Sequence, residues 1–356
     1  MDFALEAFDG PARLEPRWRR AAAQAPAVAF LGWTWMSAWL AATSLRPCLL
    51  RGRGEDGAEA LGLLCRARLP GGRVVLALNE AAEPALAAPW IEHNGLAGFL
   101  PEDERIEEVA RFLAATRSSG PLAGWHELRL GGVPARWGAA LSRAGLVVRV
   151  RSAQPVHVLD LAALRARGAG PAEALRGSAR AALRRSLRLY EARGQVALAR
   201  ATGPEALDEL VELHQARWHA RGVAGAFDAP VTHRLVRELL ARGEDSGEVE
   251  ILRARCGGRT IGMLLNLVAG GTASSYVSGI ALEADNRLKP GLVAHALAIA
   301  EHLRRGTERY DLLAGGSRHK AALAPAAGEL QWISARPRGA VAMLRDGLDR
   351  LRARLA

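Results

Sequence analysis

The period of the hydrophobic positions alternates along the chain between about 3.6 and 2, most clearly in its C-terminal half. Leu175, Ala179, Ala182, Leu183, Leu187 and Tyr190 recur at helical spacing and predict a helix that ends at Gly194. Gln195–Ala201 predicts a strand. Thr202 followed by Glu205 reads as a capping box, opening a helix with Leu207, Leu210, Val211, His214 and Trp218 on one face. Another helix is expected over Val231–Ala241. The period then falls to two: Glu248–Arg255, Thr260–Val268 and Ala273–Ile280 predict three strands, with Gly257–Gly258 and Gly270–Gly271 as turns. Pro290 presets the first turn of a helix carrying Leu292, Ala296, Ile299 and Leu303 on one face, and Gly306 follows its end. Arg309–Leu313 predicts a short strand. Val341, Leu344, Leu348, Leu351 and Leu355 predict an amphipathic closing helix.

The N-terminal half reads as mixed α/β. A helix is expected around Trp35–Ala42, strands at Pro47–Arg51, Ala60–Ala67 and Arg73–Leu78, a helix over Glu102–Thr116, a strand at Trp125–Leu130, a helix at Ala135–Arg143 and a strand at Leu146–Val150. The uncharged run Ala27–Leu45 is near the lower length for crossing a bilayer. Gly32, Thr34, Ser37, Thr43 and Ser44 dilute it, so it reads as a buried helix. The expected division is an N-terminal α/β domain at 1–155, a second domain at 156–335 and the closing helix at 336–356.

Composition agrees with two packed domains: 49% of the 356 residues are hydrophobic and 24% charged. The net charge of +11 is carried almost wholly by arginine, Lys289 and Lys320 being the only lysines. The arginines are spread along the chain, as base composition alone would spread them, so charge by itself does not identify a nucleic-acid partner. Arg176, Arg180, Arg184 and Arg188 share one helix face, where like charges repel unless acids or an anion offset them. Cys48, Cys65 and Cys256 form neither a metal spacing nor an even framework, which suits a reducing compartment. Asp2, Glu6 and Asp9 do not make a signal peptide. A cytoplasmic location is expected.

Several motifs can be set aside. Gly52-Arg-Gly-Glu-Asp-Gly57 has dinucleotide-loop spacing, but no helix follows, and Glu55 and Asp56 repel phosphate. His214 and His219 are spaced wrongly for a shared metal on a helix, and no metal is expected. The best phosphate site is the loop entering the helix at Pro290. Unpaired N–H groups there carry partial positive charge, Gly291 permits close approach, and Arg287 and Lys289 add fixed charge.

Four stretches together carry a resemblance: LRRSLRLYEARG at Leu183–Gly194, LHQARWHARGVAGAF at Leu213–Phe227, KPGLV from Lys289, and YDLLAGGSRHK at Tyr310–Lys320. In this order they resemble the GNAT-like acyltransferase family that includes CelD-type cellulose-biosynthesis proteins and is distantly related to the Fem aminoacyltransferases. The resemblance spans about Leu175–Leu323. It implies an α/β (α+β) fold with a mixed, mostly antiparallel sheet flanked by helices, and two GNAT-like domains in tandem. The strands at Ala273–Ile280 and Arg309–Leu313 would splay apart around acyl-CoA, whose pyrophosphate would rest on Arg287, Lys289, Pro290, Gly291 and Leu292, with Ser278 along the donor.

The implied chemistry is acyl transfer from acetyl-CoA or another acyl-CoA to an amine on a small molecule, glycan or lipid-linked intermediate, in envelope or exopolysaccharide synthesis. Candidate catalytic residues are Lys320, His319, Asp311 and Tyr276, for proton transfer and charge stabilisation. The sequence departs from the family in lacking its glycine-rich loop and in having His319 before Lys320 where a tyrosine is usual. Two alternatives stay open: a Fem-like transfer from charged tRNA, which would give the basic residues a nucleic-acid partner, and a non-catalytic accessory role. Peripheral membrane contact through the closing helix is a further alternative.

Overall fold

The computed structural model describes residues 1–87, 90–99, 105–175 and 177–338. Arg176 and the closing helix expected at Val341–Leu355 lie outside the described residues. Along the chain the elements are β1 (Asp2–Glu6), α1 (Pro11–Ala22), α2 (Trp33–Thr43), β2 (Cys48–Arg53), β3 (Glu59–Arg68), β4 (Val74–Leu78), α3 (Ile106–Ala115), β5 (Glu127–Val133), α4 (Arg136–Arg143) and β6 (Leu146–Asp160). They continue with α5 (Leu161–Ala166), α6 (Pro171–Ala174), α7 (Gly177–Glu191), β7 (Val196–Ala201), α8 (Pro204–His219), α9 (Pro230–Gly243), β8 (Val249–Cys256), β9 (Arg259–Ala269), β10 (Thr272–Ile280), α10 (Pro290–Arg305), β11 (Arg309–Ala314), α11 (Arg318–Leu323) and β12 (Ala326–Pro337). Short 3₁₀ turns punctuate this order.

The described residues divide into two compact units, one formed within 1–26, 44–153 and 330–338, the other within 27–43 and 154–329. In the first, β1, β2, β3 and β4 form an antiparallel meander, β4 runs parallel to β5, and Gln331–Ala335 of β12 lies antiparallel to β5. A parallel step needs a long crossover, and α3 lies in it. Leu64, Leu76, Val109, Leu113, Trp125, Leu128, Trp137 and Ile333 fill the core between sheet and helices.

The second unit repeats the pattern. β7, β8, β9 and β10 form the meander, β10 runs parallel to β11 with α10 as crossover, and Val156–Asp160 of β6 closes antiparallel on β11. Its core holds Leu183, Tyr190, Leu252, Leu264, Val293, Ile299, Tyr310 and Leu312. Helix α2 belongs to this unit and is buried along almost its whole length, as its uncharged sequence requires. No helix among the described residues is long and apolar enough to cross a membrane.

Some local expectations are corrected. Thr202 caps nothing: α8 starts at Pro204, with Gly203 at φ +82° before it, because proline at the first helical position fixes the start. Strands β1 and β12 and helix α1 were not expected. β12 opens on four exposed residues and α1 buries only Leu14, Trp18 and Ala21, so neither has a strong pattern.

Helix α8 lies on β10 with no space for a side chain at Gly279. A Cβ there would stand 2.6 Å from the carbonyl oxygen of Leu210 and 2.9 Å from Cβ of Leu213. Gly279→Val is therefore expected to cost about 1–3 kcal/mol, an overpacking penalty, read as a lower urea midpoint with an unchanged slope. An unchanged midpoint would show that helix and strand separate freely.

Candidate active site

The parallel pairing of β10 with β11 is short: Thr272 with Arg309, Ala273 with Tyr310 and Ser274 with Asp311. β10 then continues beside β9 alone, through a bulge between Ser275 and Val277. β11 has its own irregularity after Asp311, and Leu313 adopts φ +63°, rare for a leucine. Buried Asp311 supports this turn, its Oδ1 accepting from the Leu313 N–H at 2.7 Å. Beyond Ser274 and Asp311 the two strands thus part, as expected for Ala273–Ile280 and Arg309–Leu313.

On the β10 side, Ser278 and Ile280 alternate with residues whose backbone faces β9, so their N–H and C=O groups turn toward β11. The Ser278 carbonyl accepts from Nδ1 of His214 at 2.9 Å, and Nε2 of His214 accepts from the Ala226 N–H at 3.0 Å. This geometry fixes one neutral tautomer, and burial depresses the imidazole's pKa. His214 is a structural clamp. Tyr276 packs in an aromatic cluster, 5.2 Å from the Trp35 ring and 5.8 Å from that of Phe30.

The start of α10 faces the same region. Lys289 occupies its N-cap, with an exposed side chain and a backbone N–H that donates to Ser186 Oγ at 2.9 Å. Pro290 is buried, Leu292 packs into the core, and no acid occupies the first turn. A side chain on Gly291 would meet nothing closer than His319 Cε1 at 3.6 Å, so His319 flanks the helix start. Arg287 is committed elsewhere: it grips Asp285 with Nε at 3.0 Å and Nη2 at 2.8 Å, and those bonds hold the Asp285 carboxyl down at about 2.

Helix α11 follows β11 after Gly315–Gly316. Ser317 caps it, accepting from the Lys320 N–H at 3.3 Å, and Lys320 Nζ reaches back to the carbonyls of Ala314 at 2.6 Å and Leu313 at 3.3 Å. His319 is exposed, but protein atoms crowd its inner side. That crowding, followed by the charges of Arg217 and Lys320, holds its imidazole at about 4. Its ring lies 5.2 Å from that of His295, a buried residue whose Nδ1 is 3.1 Å from the Tyr310 hydroxyl.

Helix α10, the end of β11 and α11 therefore bring together Lys289, Pro290, Gly291, Leu292, Asp311, His319 and Lys320, with Ser278 on the facing strand. Arg287 pairs with Asp285, and Tyr276 packs against Trp35 and Phe30. Reading the sequence missed Arg217 and His295. His295 follows Gly291 by one helical turn, a spacing that could have flagged it.

Residues 177–321 match the acetyltransferase (GNAT) domain family. The separating parallel strands and the crossover helix of the matched region are the geometry expected of that fold. Similar solved structures include FemX, with a TM-score of 0.60 and 10% identity over 93% of this chain and 97% of that one. The C-terminal domain of a putative lysylphosphatidylglycerol synthetase from Agrobacterium fabrum has a TM-score of 0.54 and 15% identity over 94% and 95% of the two chains. L-PGS from Bacillus licheniformis has a TM-score of 0.54 and 13% identity over 97% and 98%. At these identities the likeness is one of fold, and it spans both units. No curated protein matches the chain by sequence.

Proposed function

We propose that the GNAT domain transfers an acyl group from acyl-CoA to an amine acceptor, in envelope or exopolysaccharide synthesis of the CelD type. The observation that carries this reading is the parting of β10 and β11 beyond Ser274 and Asp311, beside a helix start flanked by Lys289 and free of acids. The donor's pyrophosphate would lie on Gly291 and Leu292 with Lys289 beside it, and its acyl arm along Ser278. The first unit is unsuited to this role. Its β4 and β5 also part after Ala77 and Arg129, but Asn94 fills the opening, bonding the Leu78 carbonyl through Nδ2 and that of Gly132 through its N–H, both at 2.9 Å.

In the reaction the amine attacks the thioester carbonyl, the C–N bond forms and the C–S bond breaks. Neutral His319 takes the proton shed by nitrogen, and Lys320 stabilises or protonates the departing thiolate. Asp311 shapes the turn that aims Lys320. His319 stands where the family's tyrosine is usual, so the proton path here runs through an imidazole.

Calorimetric titration with acetyl- and long-chain acyl-CoA tests the donor. Micromolar binding is expected, weakened about 10-fold by Lys289→Ala and abolished by Gly291→Glu, which puts a carboxylate at the helix start. A second reading, charged tRNA as donor, is favoured by exposed Arg184, Arg185 and Arg188 on α7, which pair with no acid among the described residues. FemX and the lysylphosphatidylglycerol synthetases share the fold. No binding of any acyl-CoA, with RNA binding that falls steeply with salt, would replace the first reading by this one.

A further inference from the structure

The motif LHQARWHARGVAGAF is almost fully used by the fold. His214 clamps Ser278 and Ala226. Gln215 donates to Asp228 at 2.5 Å, His219 pairs with the same carboxylate at 3.1 Å, and Asp228 accepts from the Gly225 N–H at 2.7 Å. Arg221 lies over the Trp218 ring at 5.7 Å. Arg217 is the exception. It is half-buried on α8, one turn beyond His214, and no carboxylate among the described residues pairs with it. Burial and the like charge of Arg221 both work against its ionised form.

A guanidinium taken partly out of water without a counter-charge is costly, and it remains charged. Its neighbours make this worse. Burial first, and then the charges of Arg217 and Lys320, depress the His319 imidazole, and His295, whose ring lies 5.2 Å from that of His319, is held neutral by burial, by His319 and by the charge of Lys320. The two fixed charges come from α8 and α11, Arg217 and Lys320, and flank the neutral imidazole of His319 beside the end of β11. Such a cluster is complete only when an anion enters it.

We propose that the acceptor amine carries an anionic substituent, a carboxylate or a phosphate, and that Arg217, with the charge of Lys320 beside it, binds that group and sets acceptor specificity. This rests on the acyl-transfer reading of the same domain. It gives His319 a substrate-dependent role: burial is the main cause of its low imidazole pKa, and an anion between Arg217 and His319 offsets the charges that add to it, so the arriving acceptor strengthens the base it needs.

The test uses the full chain, saturating acyl-CoA and matched acceptors: an α-amino acid against its decarboxylated amine, and glucosamine 6-phosphate against glucosamine. The expected result is a preference of about 10- to 100-fold in kcat/KM for the anionic member of one pair, which identifies the group. Arg217→Gln should abolish the preference by raising acceptor KM, and Arg217→Lys should restore part of it. Acyl-CoA affinity should stay unchanged in both variants. Equal use of charged and uncharged acceptors, or a preference that survives Arg217→Gln, would overturn the proposal. So would loss of acyl-CoA binding in Arg217→Gln, which would assign the site to the donor's phosphates. If no acyl-CoA binds at all, the acyl-transfer reading fails, and inorganic phosphate titrated against the His319 imidazole resonance still decides the site. A shift seen in the native chain and absent in Arg217→Gln supports it, and no shift in either overturns it.

Discussion

Replacing His319 with alanine is expected to lower kcat for acyl transfer by about 10²- to 10⁴-fold, the usual contribution of a positioned acid–base group, while acyl-CoA affinity stays near that of the native chain. The split follows from geometry. His319 flanks Gly291 without bonding the helix start, and no element depends on its side chain for a cap or core contact. Thiol release with a saturating acceptor measures kcat, and calorimetry measures donor affinity. The pH profile adds a sign. Only neutral imidazole accepts a proton, so the rate falls as pH drops through the His319 pKa. That value is about 4 in the free protein, and the proposed anionic acceptor is expected to raise it by offsetting Arg217 and Lys320. The acid limb of kcat should therefore sit at higher pH than that of kcat/KM. A variant with native kcat would remove His319 from the chemistry and leave Lys320, or water, to manage the proton.

The strand meander and crossover helix of the second unit were legible because each rests on local signals. Gly257–Gly258 and Gly270–Gly271 mark the hairpins, Pro290 and Gly306 bracket α10, and the buried faces recur at the right periods. β12 was not legible because its strand character comes from pairing with β5, nearly two hundred residues earlier in sequence, and its first four residues are exposed. The candidate site was easiest to read where a backbone feature defines it, as at the helix start Lys289–Leu292. Where it depends on what a side chain does not touch, it was hidden. Arg287 looked like a phosphate ligand, but Asp285, two residues away, binds it with both oxygens. Arg217 looked like one arginine among many, and only its half-burial with no pairing acid among the described residues sets it apart. Tyr276 shows the same limit: its place on the splayed strand was readable, whereas its packing against Trp35 depends on a helix some 240 residues away.

The largest loss of stability is expected from Glu250→Ala, about 3–5 kcal/mol by chemical denaturation at pH 7, the range for breaking a buried ion pair from one side. Glu250 is only 2% exposed on β8. It accepts from Arg305 Nη1 at 2.6 Å and lies 3.1 Å from His302 Nε2, so it ties the end of α10 to the sheet. Burial alone would raise its carboxyl pKa. The bonds to His302 and Arg305 outweigh burial and bring it from 4.5 down to about 2. The depressed carboxylate therefore adds stability that is complete above about pH 4.5 and is lost as pH falls toward 2. Glu250→Ala should flatten that part of the stability profile as well as lower its plateau. Glu250→Gln keeps hydrogen-bonding oxygen and volume while deleting charge, so it separates the two contributions. A plateau lowered equally by both variants would assign the effect to charge, whereas a native-like Glu250→Gln would assign it to the filled space and hydrogen bonds at the foot of α10. If Glu250→Ala instead left the midpoint unchanged, α10 would be anchored by its apolar face alone. The start of that helix, where Lys289 and Gly291 meet the proposed donor, would then owe its position to Val293 and Ile299 in the core rather than to the ion network at its far end.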